Sequence, residues 1–196
     1  MKYIKVDITD DQRKRANGLY DFERLPHSFT GGTGNMTGAL GEIIVKDIWS
    51  DKLQFPNEPS YEYDLEGVNS NVKIDVKSKM ISDHVIPRDD FKVSVSANGK
   101  GISQKCDWYV FCFITKNQFT GYILGWCKKD VYLKESIFKN KGDVDDIGIV
   151  LNKGWKFFND GYHMLIKDLD YVPTTLLQET TSTQMKFVKH THILNF

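Results

Sequence analysis

The segment Val72-Lys73-Ile74-Asp75-Val76-Lys77-Ser78-Lys79 alternates apolar and polar side chains. This period of two is typical of a β-strand whose two faces have different surroundings. Asp75 and Lys77 are therefore expected side by side on one face. A carboxylate there can bind a hard cation through oxygen, and the adjacent ammonium can orient a water molecule or stabilise charge on a phosphate. The alternative interpretation is an amphipathic strand whose charged face meets only solvent.

The surrounding sequence predicts a mixed sheet flanked by helices in one α/β domain. The residues Trp108–Thr115 are almost all apolar, which is typical of a strand buried on both faces. Thr9 and Gln12 have the spacing of a capping box. Further strands are predicted at Tyr61–Leu65, Phe91–Ala97, Tyr122–Cys127 and Tyr162–Ile166. Helices are predicted from Thr9 to about Glu23, at Met36–Asp51 and Lys129–Phe138, with a short one around Ser103–Cys106.

A second carboxylate, Asp64, lies 11 residues before Asp75 on the preceding predicted strand. The turn at 66–71 would bring the two carboxylates together, and Mg²⁺ or Mn²⁺ binds such an oxygen pair along with water. Glu62 and Glu66 have the same strand parity as Asp64 and remain alternatives for this role.

A third carboxylate, Glu42, lies within a run of small and apolar residues on the second predicted helix. A buried carboxylate needs a partner, because an unpaired buried charge is costly. Either a metal site or a salt bridge to a lysine would meet that need. Gly38 and Gly41 leave one side of this helix small enough for close packing against a neighbour.

In this order, Glu42, Asp64 and Asp75-Val76-Lys77 resemble the motif of the PD-(D/E)xK nuclease superfamily. The resemblance covers roughly residues 36–115, and Tyr63 stands where the family name has proline. It implies a restriction-endonuclease-like αβββαβ core with a mixed central sheet flanked by helices. It also implies an Mg²⁺ or Mn²⁺ cofactor. The roles would be metal ligation or water positioning for Glu42, Asp64 and Asp75, a carbonyl ligand from Val76, and a catalytic lysine at Lys77.

The sequence is therefore interpreted as a divalent-metal-dependent nuclease, with DNA favoured over RNA as substrate. Candidate phosphate contacts are Lys79, Lys92, Lys100 and Lys105. One alternative is a catalytically inactive nucleic-acid-binding or structural module with the same fold. Another is a protein-interaction domain whose acidic hairpin meets a basic partner. The layout resembles small nuclease-like proteins of bacteriophages, which implies a cytoplasmic location in a bacterial or infected host cell, and cutting both strands of a duplex would favour a homodimer.

Length and charge set further expectations. The 196 residues fit a single domain, with a core at roughly 36–127. Net charge is zero, which argues against a non-specific nucleic-acid coat protein. An acidic segment at 55–72 precedes a basic one at 91–105, as a metal site that also accepts phosphate requires. No apolar run approaches the roughly 18 residues of a membrane span, and no secretory signal is visible.

Several other residues have less specific patterns. An odd number of cysteines in apolar segments predicts buried thiols: Cys106, Cys112 and Cys127. The aromatic run Trp155, Phe157 and Phe158 is predicted to be core, with base stacking as the alternative. A solvated turn is predicted for Asp143, Asp145 and Asp146. Metal binding by His190 and His192 is the less favoured interpretation of that pair.

Overall fold

The computed structural model describes residues 3–19, 33–58, 62–97, 102, 104–148 and 154–170, with the backbone alone at 33–35. These residues form a mixed α/β structure. The strands are β1 Ile4–Asp7, β2 Leu53–Gln54, β3 Leu65–Gly67, β4 Lys73–Ile81, β5 Lys92–Ser96, β6 Trp108–Thr115, β7 Thr120–Lys128, β8 Ile137–Lys139 and β9 Gly161–Leu165. The helices are α1 Asp10–Leu19, α2 Thr33–Ile48 and α3 Lys129–Glu135, and a 3₁₀ turn covers Ile166–Asp168.

Two sheets are present in the described part of the chain. The larger has the strand order β1-β7-β6-β4-β3-β2, and the smaller has the order β5-β9-β8. In the larger sheet β4 and β6 run parallel, whereas its other neighbouring strands run antiparallel. The smaller sheet is antiparallel throughout. The predicted mixed sheet is therefore confirmed.

Strand β6 lies at the centre of the core, and all eight of its residues are buried. Its side chains alternate between two clusters. Val110 and Cys112 pack with residues of α1 and α2. Tyr109 and Phe111 pack instead with the smaller sheet and α3. Both faces of β6 are covered, which explains its almost entirely apolar sequence and confirms the prediction of a doubly buried strand.

The N-terminal helices confirm two local predictions. The Gln12 amide donates to the Thr9 hydroxyl at 3.2 Å, and the Thr9 amide donates to the Gln12 side-chain oxygen at 3.0 Å. Helix α2 extends over 33–48 rather than 36–51. A Cβ atom built on its Gly41 would lie 1.8 Å from the Ser78 hydroxyl oxygen, so this glycine lets α2 contact β4 closely.

The helix predicted from Lys129 is confirmed but is shorter than expected, and the short helix predicted around Ser103–Cys106 is not found at its described residues. The helix predicted to reach Phe138 ends at Glu135, and the chain then forms β8 in the smaller sheet. The residues Gln104–Cys106 are not helical. The described part of the crossover from β4 to β6 therefore holds β5 and loops, and it lacks the second helix of the expected αβββαβ order. Among the described residues, no helix is long and apolar enough to cross a membrane.

Candidate metal centre

The candidate site lies beside β4, just before β3 begins. The two strands pair only at Leu65–Ile74 and Glu66–Lys73. Asp64 precedes β3 instead of lying within a strand, and its amide donates to the Ile74 carbonyl at 2.9 Å. Its carboxylate Oδ2 accepts a hydrogen bond of 2.7 Å from the Val76 amide. The Asp64 side chain thus occupies the edge of β4 that β3 leaves open.

The Val76 backbone supplies a second oxygen at this edge. In a β-strand the N–H and C=O groups of one residue point to the same side. Because the Val76 N–H points towards Asp64, its carbonyl points to the same edge of β4. The carbonyl predicted as a metal ligand therefore faces the Asp64 side of the strand.

Asp75 and Lys77 lie together on one face of β4, as the alternation predicted. The Lys77 ammonium is 2.6 Å from Oδ2 of Asp75, whose side chain is only 6% exposed. This Oδ2 is buried, and the Lys77 ammonium is the positive charge that compensates it. Burial acts to lower the pKa of Lys77, but Asp75 and Asp64 outweigh it and the pKa is raised. Lys77 is consequently an ammonium at neutral pH.

The Asp64 carboxyl is strongly perturbed by its surroundings. Burial raises its pKa well above the ordinary value, and the charges of Asp75 and Glu42 raise it further. Lys77 and the Val76 amide oppose this shift without cancelling it. Glu42, on α2, is itself 6% exposed. Three carboxyl groups and one lysine therefore share a buried region, where added positive charge would favour ionised Asp64.

The oxygen atoms present fit a hard divalent cation. The described residues contain no group of three or more His, Cys, Asp or Glu side chains that could hold a metal ion. A smaller set remains: the carboxylates of Asp64 and Asp75 and the carbonyl of Val76. Mg²⁺ and Mn²⁺ accept such all-oxygen sets and complete their coordination with water. Oδ2 of Asp75 lies 2.6 Å from the Lys77 ammonium, so such a cation would bind this oxygen alongside that lysine or in its place.

Two residues of the β6 region adjoin the site, and the sequence did not place them beside Asp75. Cys106 is buried, and burial followed by the Asp75 charge raises its pKa to about 12. Tyr109 lies opposite Asp75 in the parallel pairing of β4 with β6. Burial, then Cys106 and Asp75, raise the pKa of Tyr109. Only the pairing of two strands about 30 residues apart reveals this proximity. All three cysteines are buried free thiols, as predicted.

The two alternative acids make contacts elsewhere. Glu62 forms an ion pair of 2.5 Å with Lys105. Glu66 accepts hydrogen bonds from the Gln54 side-chain amide at 2.9 Å and from the Tyr63 hydroxyl at 3.3 Å. Asp64 is therefore the acid of this segment that shares its surroundings with Asp75.

The predicted phosphate-contacting lysines differ in their surroundings. Lys79 is exposed on β4 and has no carboxylate within 4.0 Å among the described residues. Partial desolvation of its ammonium by neighbouring groups, and then the charge of Lys92, lower its pKa. Lys92 instead forms a buried ion pair with Asp145, and Lys105 is exposed but pairs with Glu62. Lys100, like His190 and His192, lies outside the described residues.

The fold and site together describe a mixed α/β protein with a buried cluster of carboxyl groups and one lysine at a strand edge. Comparison of the chain with models of known protein families and with curated proteins finds no match.

Proposed function

We propose that this protein is a divalent-metal-dependent nuclease that hydrolyses phosphodiester bonds in nucleic acid, with DNA favoured over RNA. The observation that carries the proposal is the surroundings of Asp64. Its carboxyl is buried beside Asp75 and Glu42, and Lys77 is the lysine among them. Perturbed pKa values from burial and specific charged neighbours are typical of functional sites.

The order of the elements supports a relation to the restriction-endonuclease-like fold. A helix bearing Glu42 precedes Asp64, and the Asp75–Lys77 pair follows on the next strand. We propose that the sheet is a variant of that core in which β5 belongs to a second sheet. The proposal rests on the position of the acidic residues and the parallel pairing of β4 with β6.

The residues divide the chemistry among them. Asp64, Asp75 and the Val76 carbonyl would hold Mg²⁺ or Mn²⁺, which when bound polarises a phosphodiester and makes water a better nucleophile. Lys77, held by its ion pair with Asp75, orients the attacking water and stabilises negative charge on the phosphate. Glu42 would hold a second ion or accept a hydrogen bond from a water molecule. Lys79, exposed two residues beyond Lys77, contacts a neighbouring phosphate.

The proposal predicts metal-dependent cleavage that requires Asp75 and Lys77. Purified protein is incubated with supercoiled plasmid and with labelled single-stranded DNA and RNA, in Mg²⁺, Mn²⁺ or EDTA. We expect cleavage in metal but not EDTA, and a loss of at least about 100-fold in Asp75→Ala and Lys77→Ala. Lys134→Ala is the matched control, since Lys134 is an exposed lysine of α3.

A second candidate is a nucleic-acid-binding module without catalysis. The close Lys77–Asp75 ion pair favours it, since this lysine neutralises a carboxylate that a cation would otherwise take. This candidate predicts no cleavage in any metal, nucleic-acid binding unchanged in Asp75→Ala, and no rise in melting temperature on adding Mn²⁺. Wild-type cleavage that Asp75→Ala and Lys77→Ala leave intact would contradict the proposed site and point to another one.

A further inference from the structure

Exposed apolar side chains concentrate in one part of the molecule. Among the described residues nine large apolar side chains are exposed, and five of them lie within 137–158. These five are Ile137, Phe138, Val144, Trp155 and Phe158. Phe158 is 70% exposed and Trp155 is 39% exposed, so the prediction that both belong to the core is wrong. Phe157 between them is buried, as predicted.

Trp155 and Phe158 form a surface that we call the aromatic platform. Their ring centroids are 5.1 Å apart and their planes are nearly perpendicular. Phe157 anchors the platform from below: its ring lies 6.0 Å from that of Trp155 and 4.3 Å from that of buried His163. The platform is therefore held on a packed base while its own rings remain open to solvent.

Two exposed lysine ammoniums near the platform are available to an anionic ligand. Lys141 and Lys156 are exposed, and no described carboxylate lies within 4.0 Å of either ammonium. Each nearby acidic side chain is already engaged with a neighbour. The contacts are Asp143 with the Asn140 amide, Asp160 with the Lys141 amide, Asp145 with Lys92, and Asp146 with Lys139. These acids keep their negative charge, so the surface offers a ligand two unpaired lysines and two aromatic rings rather than a net positive charge.

Electrostatic and ring interactions lead from β4 to the platform through the largely buried Lys92 and Phe157. Lys79 lies two residues beyond Lys77, on the same face of β4. The positive charge of Lys92 lowers the pKa of Lys79, as the second cause after desolvation, so the two ammoniums are near each other. The Lys92 ammonium lies 5.3 Å from the ring centroid of Phe157, which in turn contacts Trp155.

We infer that the aromatic platform stacks against unpaired bases of the strand bound at the candidate metal centre, and that the substrate is single-stranded nucleic acid. Exposed aromatic rings beside unpaired lysines are the combination that binds unpaired strands, since every base has a face to stack and every nucleotide has a phosphate. A duplex keeps its base faces inside the helix and cannot use the platform. This inference rests on the proposed function and specifies its substrate.

The test measures binding apart from cleavage. Fluorescence anisotropy is recorded in EDTA with a labelled oligothymidylate and with a duplex of equal length. We expect Trp155→Ala and Phe158→Ala each to weaken single-strand binding about 5- to 150-fold, as the loss of one stacked base does. Duplex binding should be unaffected, and Trp155→Phe should retain most of the affinity. Phe119→Ala is the matched control, since Phe119 is 56% exposed and lies outside the platform.

Other occupants predict different results. If the platform binds a second copy of the chain, sedimentation will show a dimer that Phe158→Ala dissociates, and the inference fails. It also fails if both platform variants bind the single strand like wild type, or if duplex is preferred. Far-ultraviolet circular dichroism confirms folding of each variant. If single-strand binding depends on Trp155 but no metal supports cleavage, the base-stacking role of the platform stands and the proposed nuclease activity fails.

Discussion

At the scale of single residues, Asp64 has two opposing relations with its surroundings. Its carboxylate accepts the Val76 amide hydrogen bond, which favours ionisation. Burial and the charges of Asp75 and Glu42 disfavour ionisation and prevail, so the pKa of Asp64 is raised. Without a bound cation, ionised Asp64 therefore destabilises the folded protein at neutral pH.

Replacing Asp64 with asparagine should stabilise the metal-free protein. The Asn oxygen can still accept the Val76 amide, while one buried negative charge disappears. We expect the melting temperature in EDTA at pH 7 to rise by a few degrees, the change that about 1 kcal/mol produces in a chain of this size. Metal-dependent activity should be lost in the same variant.

The pH dependence of Asp64→Asn has a definite sign. The folded-state pKa of Asp64 is raised above its ordinary value of 3.8. The stability that the protonated Asp64 carboxyl contributes is therefore fully present below about pH 3.8, and it is lost as pH rises through the folded-state pKa. The melting temperature of Asp64→Asn should thus exceed that of the wild type by an amount that increases as pH rises. Asp51→Asn, at an exposed acid, serves as control and should show no such increase. A variant less stable than wild type at every pH would show that the Asp64 charge is favourable.

At the scale of elements, the contact between α2 and β4 positions Glu42 relative to Asp64. Gly41 makes this contact possible, because an added Cβ would lie 1.8 Å from the Ser78 hydroxyl oxygen and 3.1 Å from its Cβ. Gly38 lies about one helical turn before Gly41 and has more space. A Cβ atom added at Gly38 would have Glu42 Oε1, at 4.0 Å, as its nearest neighbour. The two glycines of α2 are therefore not equivalent.

Gly41→Ala should destabilise the protein by about 1–3 kcal/mol, because overpacking pushes α2 away from β4. Activity should also fall, since Glu42 moves with the helix. Denaturant unfolding of Gly41→Ala, Ser78→Ala and the double variant tests the contact. We expect Ser78→Ala to recover part of the stability that Gly41→Ala loses.

Gly18→Ala is the control, because a Cβ atom added there has nothing within 4 Å. Alanine at this position should stabilise α1 by up to about 1 kcal/mol. Wild-type stability in Gly41→Ala would contradict the close contact.

At the scale of the whole molecule, the smaller sheet covers one face of the larger one and carries a buried ion pair. Lys92 on β5 forms an ion pair with Asp145. The Lys92 side chain is 13% exposed and the Asp145 side chain is 6% exposed. Asp145 also accepts a hydrogen bond from the Ile147 amide at 3.3 Å. The prediction of a solvated turn is thus wrong for Asp145. Its carboxylate connects the 140–148 loop to β5.

Asp145→Ala should cost about 3–5 kcal/mol of unfolding free energy, because it leaves the Lys92 ammonium buried without its partner. Removing both charges, with Lys92→Met and Asp145→Leu, should restore most of the stability. Chemical denaturation measures all three proteins. Asp7→Ala breaks the exposed Lys5–Asp7 pair and should cost less than about 1 kcal/mol. Equal small losses in Asp145→Ala and Asp7→Ala would mean that the Lys92–Asp145 pair is solvated.

Local sequence determined the features that depend on near neighbours. Alternation placed Asp75 and Lys77 on one face of β4, and the apolar run predicted that β6 is buried on both faces. The Thr9–Gln12 spacing predicted the cap of α1. Strand and helix periods are properties of a few consecutive residues, so these features can be read from the sequence directly.

Tertiary structure decided the features that depend on distant partners. The residues after Glu135 form β8 because β9 supplies their hydrogen bonds, and Asp145 is buried because Lys92 accompanies it. Pairing of β4 with β6 brings Tyr109 opposite Asp75, while the packing of Phe157 on His163 leaves Trp155 and Phe158 open to solvent. Burial and charge pairing are set by residues far apart along the chain, and local periodicity carries no information about those partners.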